Sequence, residues 1–330
     1  MENCWIIGVI LLGILLSRNI FNPLFGTAVG TKMISIPMAS MLGTLFFTLG
    51  AFFNSSDTLS TIDQITFLNS QSQAFLVCLC VACILFVLNK RGIPLSIAQS
   101  MIGALLGFNL FYHYPVQLDL MKNILFAWIY APLLAAIFAF ILFLLIRHYV
   151  RKHPIGLLYR DVYLRIALLV VGCLVSFGTG SNNVSVLIGP YNKVSDFSHF
   201  SLLLIASLSI GIGFWSLKYH KIKIISTVLF PLTPLEAFIS ALTTAMTLFL
   251  FSNTAIYKFF SFLGLPFLTP APLSVSSLMI GSIVGISLLK GISGLKLNVL
   301  GHIIFAWILA PCISCLICLA LLSIINFKGF

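Results

Sequence analysis

Phe126-Ala127-Trp128-Ile129-Tyr130-Ala131-Pro132 is written a second time at Phe305-Ala306-Trp307-Ile308-Leu309-Ala310-Pro311, with one position changed. Upstream of each copy stands another matched block. Pro94-Leu95-Ser96 leads to Met101-Ile102-Gly103 and Gly107, and Pro272-Leu273-Ser274 leads to Met279-Ile280-Gly281 and Gly285. The offsets are 178 (94 to 272) and 179 (126 to 305), so one indel separates the blocks. A repeat of half the chain length in a very apolar sequence predicts two related membrane-embedded halves.

Of the 330 residues, 60% are hydrophobic and only 8% charged, too little polar material to cover a soluble domain of this size. The solvent must be lipid. Apolar stretches are read at roughly 4–16, 34–53, 74–88, 94–111, 123–146, 166–188, 200–217, 235–251, 272–289 and 303–325. Several fall short of the ~20 residues of a full span, which predicts broken or re-entrant segments. The expected fold class is an all-α polytopic membrane protein with about ten membrane segments. Its first repeat covers 1–146 and its second 166–330, joined by a basic linker at 147–165. The polar, Ser/Thr-rich stretch 54–73 reads as a loop.

The net charge of +11 is topological and implies no nucleic-acid partner. With ten crossings, thirteen Lys and Arg fall on one side, in 32, 90–91, 147–165, 218–223, 290 and 296. Four fall on the other: Lys122, Lys193, Lys258 and Lys328. This bias places the basic loops in the cytoplasm and the protein in the cell (inner) membrane as a multi-pass chain. Five crossings per half is an odd number, so the second half must be inverted. Inverted repeats enclose a site near the midplane, the plan of a secondary transporter.

Chemistry-bearing residues cluster at two places. Phe177-Gly178-Thr179-Gly180-Ser181-Asn182-Asn183, running on to Gly189-Pro190, interrupts a crossing with helix-weakening residues and predicts a break lining a cavity. Ser17-Arg18-Asn19-Ile20-Phe21-Asn22-Pro23, followed by Gly26-Thr27-Ala28-Val29-Gly30, is its counterpart. Freed N–H groups and half-helix N-termini would suit an anion; small-residue packing at a kink is the other reading. The spacing of Cys312, Cys315 and Cys318 resembles a metal motif on paper. It lacks a nearby His or carboxylate and drifts around a helix, so neither metal nor disulfide is expected.

These residues resemble the inorganic phosphate transporter (PiT) family, whose repeat carries G-x-N-D-x-A-N-x-x-G-P/T in each half. Gly180 through Pro190 looks like the second copy, and Asn19 through Lys32 like the first. Pro94–Gln99 and Pro272–Ser277 match the P-V-S-T-T-H element in part. The resemblance spans nearly the whole chain and implies a homodimer. The family's paired aspartates, associated with sodium, would fall at Ile20 and Asn183, and its later Asn at Pro23 and Val186. Sodium coupling is therefore not expected, and a proton is the alternative. The Asn182-Asn183 pair, Gly92-Ile93-Pro94-Leu95-Ser96, and Glu236 after Thr233-Pro234 are similar to the sulfate-permease branch.

The candidate substrate-binding residues are Arg18, Asn19, Ser96, Ser181, Asn182, Asn183 and Ser274. Ser96 and Ser274 can cap helices or hydrogen-bond an oxyanion. Asn182 and Asn183 offer uncharged amide donors. Arg18 is an intramembrane guanidinium that either pairs with the anion or snorkels to an interface. Glu236 is a candidate coupling group, or a first-turn complement to the helix dipole. No H-E-x-x-H or G-x-S-x-G occurs, so no enzyme is expected. The expected function is symport of inorganic phosphate or a related tetrahedral oxyanion by alternating access. A proton-coupled sulfate permease and a non-transporting anion sensor or scaffold are the alternatives. No cofactor or metal is expected.

Overall fold

The computed structural model describes residues 4–30, 33–90, 96–152, 156–217, 230, 232–262, 269–291 and 294–327. The regular structure among them is helical. α1 (Cys4–Phe21) passes through a π-helical turn, Asn22–Gly26, into α2 (Thr27–Gly30). The first half continues with α3 (Ile36–Asn54), α4 (Ser56–Ile65), α5 (Gln71–Lys90), α6 (Ile97–Phe111) and α7 (Leu118–Lys152). The second half holds α8 (Leu157–Asn192), α9 (His199–Trp215), α10 (Pro234–Phe251), α11 (Thr254–Phe262), α12 (Val275–Lys290) and α13 (Leu297–Phe327). The Gly92–Leu95 motif and Lys218–Lys223 lie outside the described residues.

Among the described residues, 6 helices are long and apolar enough to cross a membrane, and four shorter apolar ones accompany them. Two of the short ones matter most. α6 and α12, of 15 and 16 residues, reach only ~22–24 Å against the ~30 Å of a hydrocarbon core. Their first turns are buried at Ser96–Ala98 and Ser274–Ser276, so both helices begin inside the protein.

The two repeated blocks touch across the halves. α6 packs on α13 and α12 on α7, so each Met-Ile-Gly block lies on the other half's Trp-Ile-x-Ala-Pro block. A Cβ on Gly103 would run into the Pro311 carbonyl, and one on Gly281 into the Pro132 carbonyl. Gly107 and Gly285 meet the carbonyls of Cys315 and Ala136 in the same way. This is small-xxx-small packing, in which the absent side chain lets two backbones approach. α3 on α8 and α1 on α9 form a second exchanged pair, with Gly50 against Phe177 and Gly213 against Ser17 and Ile14.

Three expectations change. The crossing at 177–190 is not broken: α8 is one helix through Asn192. Its glycines serve close packing, Gly180 against the Phe47 carbonyl, Gly178 against Leu248 and Gly189 against Ile62. Ser176 and Thr179 turn their hydroxyls back onto the carbonyls of Gly172 and Val175, which keeps their side chains satisfied within the helix. In the first copy Pro23 has no N–H to donate, and the chain answers with a π-turn. The linker expected at 147–165 is mostly helix, its charges lying on the last turns of α7 and the first turns of α8. The loop expected at 54–73 contains α4.

Candidate functional site

The start of α12 is held by three other elements. Asn182 of α8 donates its amide to the Ala271 carbonyl (2.9 Å) and Ser252 Oγ (3.1 Å), and its Oδ1 accepts from Leu273 N (2.7 Å). Trp128 of α7 donates its indole N–H to the Pro272 carbonyl at 3.0 Å. Ala271 N reaches the Phe251 carbonyl at the end of α10 (3.3 Å). The extended segment 271–274 is thereby fixed, and α12 starts where it ends. Ser274 accepts from Ser277 N (3.4 Å) as N-cap, and Ser277 Oγ returns to the Ser274 carbonyl (2.6 Å). Ser276 Oγ donates to the Asn19 carbonyl (3.4 Å), joining α12 to α1 just before the π-turn.

The start of α6 follows the same plan. Ser96 accepts from Gln99 N (3.3 Å), and Ser100 Oγ donates to the Ser96 carbonyl (3.0 Å). Gln99 is 5% exposed, and its Oε1 has no partner among the described residues. Two buried helix N-termini, ringed by hydroxyls and amides with no carboxylate among the described residues, offer partial positive charge and neutral donors. That combination suits a tetrahedral oxyanion. Ile20 is a buried hydrocarbon and Asn183 is an uncharged amide, so neither position adds a carboxylate to the site.

Ser96, Asn182, Asn183 and Ser274 are all buried, at or beside these N-termini. Ser96 and Ser274 act as caps, and Asn182 is spent on protein partners. Asn183 donates to Asn182 Oδ1 at 3.5 Å. Ser181 faces elsewhere, exchanging hydrogen bonds of 2.9 Å with the Asn54 amide and carbonyl. Asn19 lends its carbonyl to Ser276. Arg18 is exposed and makes no ion pair with a described residue, which favours the snorkelling reading. Gln99, Ser276, Ser277 and Trp128 lie in the motifs and repeat read from the sequence but are not among its candidate binding residues. The last had a signal, since it sits in the most faithful repeat.

Glu236 lies in the first turn of α10, 4% exposed. Its Oε2 accepts from Thr233 N (2.9 Å), and its Oε1 pairs with Lys290 at the end of α12 (2.9 Å). Lys290 also stands over the Phe230 ring, 5.2 Å from its centroid. Both carboxylate oxygens are thus engaged in closing the ends of α10 and α12. Glu236→Gln keeps the contact to Thr233 and loses the ion pair. We expect about 1 kcal/mol of destabilisation, because Lys290 remains partly hydrated. A melting curve in detergent checks this, and gradient dependence of uptake should be unchanged. Loss of gradient-driven uptake with exchange intact would instead make Glu236 the coupling group.

Comparison with known proteins agrees with this fold. The Phosphate transporter family profile matches residues 21–318. A candidate phosphate permease of Methanocaldococcus jannaschii is 26% identical over 313 residues, covering 94% of this chain and 93% of its own. The sulfate permease CysP of Bacillus subtilis is 33% identical over 106 residues, 32% of this chain and 29% of its own. Among solved structures, the sodium-dependent phosphate transporter superposes with a TM-score of 0.74 at 19% identity, covering 98% of this chain and 99% of that one. With the family profile running from the end of α1 at residue 21 into α13 at residue 318, the chain belongs to the phosphate transporter family.

Proposed function

We propose that the chain is a secondary active transporter that carries inorganic phosphate through the membrane by alternating access. The observation that carries this reading is the pair of short helices α6 and α12. Each starts at a buried, serine-capped N-terminus inside the bundle, and α12 is braced there by Asn182 and Trp128. A bound oxyanion would meet unpaired backbone N–H groups and hydroxyls, strong enough to replace water yet without a full positive charge to trap it. The exchanged packing of the halves supports an inverted repeat. On this reading the basic end of the bundle faces the cytoplasm, and the two halves rock about the site. A homodimer fits the family and is part of the proposal.

Sulfate is the second reading, favoured by one observation: positions 20 and 183 hold isoleucine and asparagine. Neither coordinates sodium with charge, and the neutral site would accept a dianion without repulsion. The coupling ion proposed is the proton. Uptake of labelled phosphate and labelled sulfate into liposomes, each under a sodium or a proton gradient, decides among these. Proton-driven phosphate uptake is expected, with unchanged apparent affinity in Arg18→Gln. Sodium-driven uptake would refute the coupling proposal, and anion binding without flux would identify a sensor.

A further inference from the structure

We infer that Asp63 is a proton site that holds α4 closed over the end of the anion pathway opposite the basic loops. This rests on the proton-coupled transport reading and gives one end of its pathway a pH-sensitive latch. α4 is a ten-residue amphipathic helix belonging to the first half. Thr58 Oγ1 donates to the Ser181 carbonyl (3.0 Å), one residue before Asn182. Thr61 Oγ1 donates to the Pro270 carbonyl (3.0 Å), one residue before the Ala271 that Asn182 holds. Asp57 Oδ2 accepts from Thr254 N at the start of α11 (2.7 Å), and Asn109 of α6 donates to the Ile65 carbonyl (2.8 Å). α4 therefore lies directly on the segment that starts α12, tied to both halves. Opening this end requires those bonds to break.

Asp63 sits on the last turns of this helix, half-buried. Its Oδ2 accepts from Asn192 at the end of α8 (2.8 Å), while its Oδ1 is buried with no partner among the described residues. The groups facing it are Asn192 and Lys193, whose Nζ donates to the Asp63 carbonyl (2.6 Å), and His199 at the start of α9. His199 Nδ1 lies 3.4 Å from Asn192 Oδ1. From α6 comes only the neutral Asn109, and Asp57 on α4 itself is turned to Thr254. An orphaned carboxylate oxygen is costly when charged and tolerable when protonated. Of the other carboxylates described here, Glu236, Asp57, Asp119 and Asp196 each accept a hydrogen bond or pair with a lysine, and Asp161 is exposed.

Burial pushes the Asp63 carboxyl above its ordinary value of 3.8, against the opposing pull of Asn192, Lys193 and His199. Once α4 lifts and water reaches the group, that displacement is lost. The closed form thus binds the proton more tightly than the open form. By linkage, closure is favoured as pH falls through the raised value, and weakens above it. Protonation at this end would then favour occlusion of the anion, which makes Asp63 a pH-sensitive latch on this end of the pathway.

The test reads closure directly, because phosphate itself titrates and would blur an uptake profile. Spin labels on Ser60→Cys in α4 and Ala255→Cys in α11, with the exposed Cys83 and Cys312 changed to Ser, report their separation by pulsed electron resonance in anion-free proteoliposomes. The closed-to-open ratio should rise by up to tenfold for each pH unit separating the two values, and Asp63→Asn should abolish that dependence. Asp63→Ser serves if the amide variant misfolds. A separation that ignores pH in the parent, or keeps its pH dependence without the carboxylate, overturns the inference. A pH-linked closure without phosphate flux would leave it standing and refute the transport reading.

Discussion

Gly281→Leu should prevent accumulation of folded protein, and Gly281→Ala should cost about 1–3 kcal/mol, seen as a lower melting temperature in detergent. The same is expected at Gly103, which occupies the matching place in the other half. In both, a Cβ would run into a proline carbonyl of a long helix, Pro132 in α7 or Pro311 in α13. A flexible side-chain end could turn aside, but a backbone oxygen cannot move without its helix. The helices would have to separate, and in lipid there is no hydrophobic gain to offset lost van der Waals contact. Leu288→Ala on the lipid-facing side of α12, 52% exposed, is the control and should be near neutral. Full-length protein that stays monodisperse with an unchanged melting temperature after Gly281→Leu would show that the two repeat blocks do not meet as described.

These glycines explain why the repeat is so faithful at 94–107 and 126–132. Each block is the mould of the other half's block, so a change in one must be matched by a change in its partner. That constraint was legible in the sequence as identity, though its cause was not. Hydropathy also located the ten apolar helices, because each buries or presents a long apolar surface. It missed α4, whose Ser, Thr and Asp residues are the chemistry of a loop until Thr58 and Thr61 find carbonyls on α8 and at Pro270. It misread α8 for the opposite reason. Glycines that weaken an isolated helix here let Phe47, Leu248 and Ile62 approach, and tertiary packing overrides propensity.

The site was legible in part. Serine after Pro-Leu at the head of an apolar stretch is a local signal, and both Ser96 and Ser274 cap as that signal implies. Asn182 is different. Its partners lie 70, 89 and 91 residues away, at Ser252, Ala271 and Leu273, and no local pattern announces them.

Asn182→Leu should therefore destabilise the protein before any anion is added, by about 3–5 kcal/mol. The change removes four hydrogen bonds, the one from Asn183 included, and leaves the Ala271 carbonyl and Leu273 N–H buried, with a penalty of ~1–3 kcal/mol for each orphaned group. Leucine keeps the branched skeleton of asparagine with bulkier methyl groups, so the loss of polar partners comes with some crowding at this fully buried position. Asn182→Asp should be little better: its carboxylate can still accept from Leu273 N but repels the Ala271 carbonyl in a buried place. Uptake should fall with stability in both, because α12 would lose the brace that sets where its N-terminus stands. The measurement that separates bracing from binding is the melting temperature without phosphate, set beside phosphate affinity by calorimetry. An unchanged anion-free melting temperature with weakened phosphate binding would return Asn182 to the substrate. The expected pattern is the reverse: a large fall in anion-free stability, partly recovered as phosphate fills the site and stabilises the folded form by mass action.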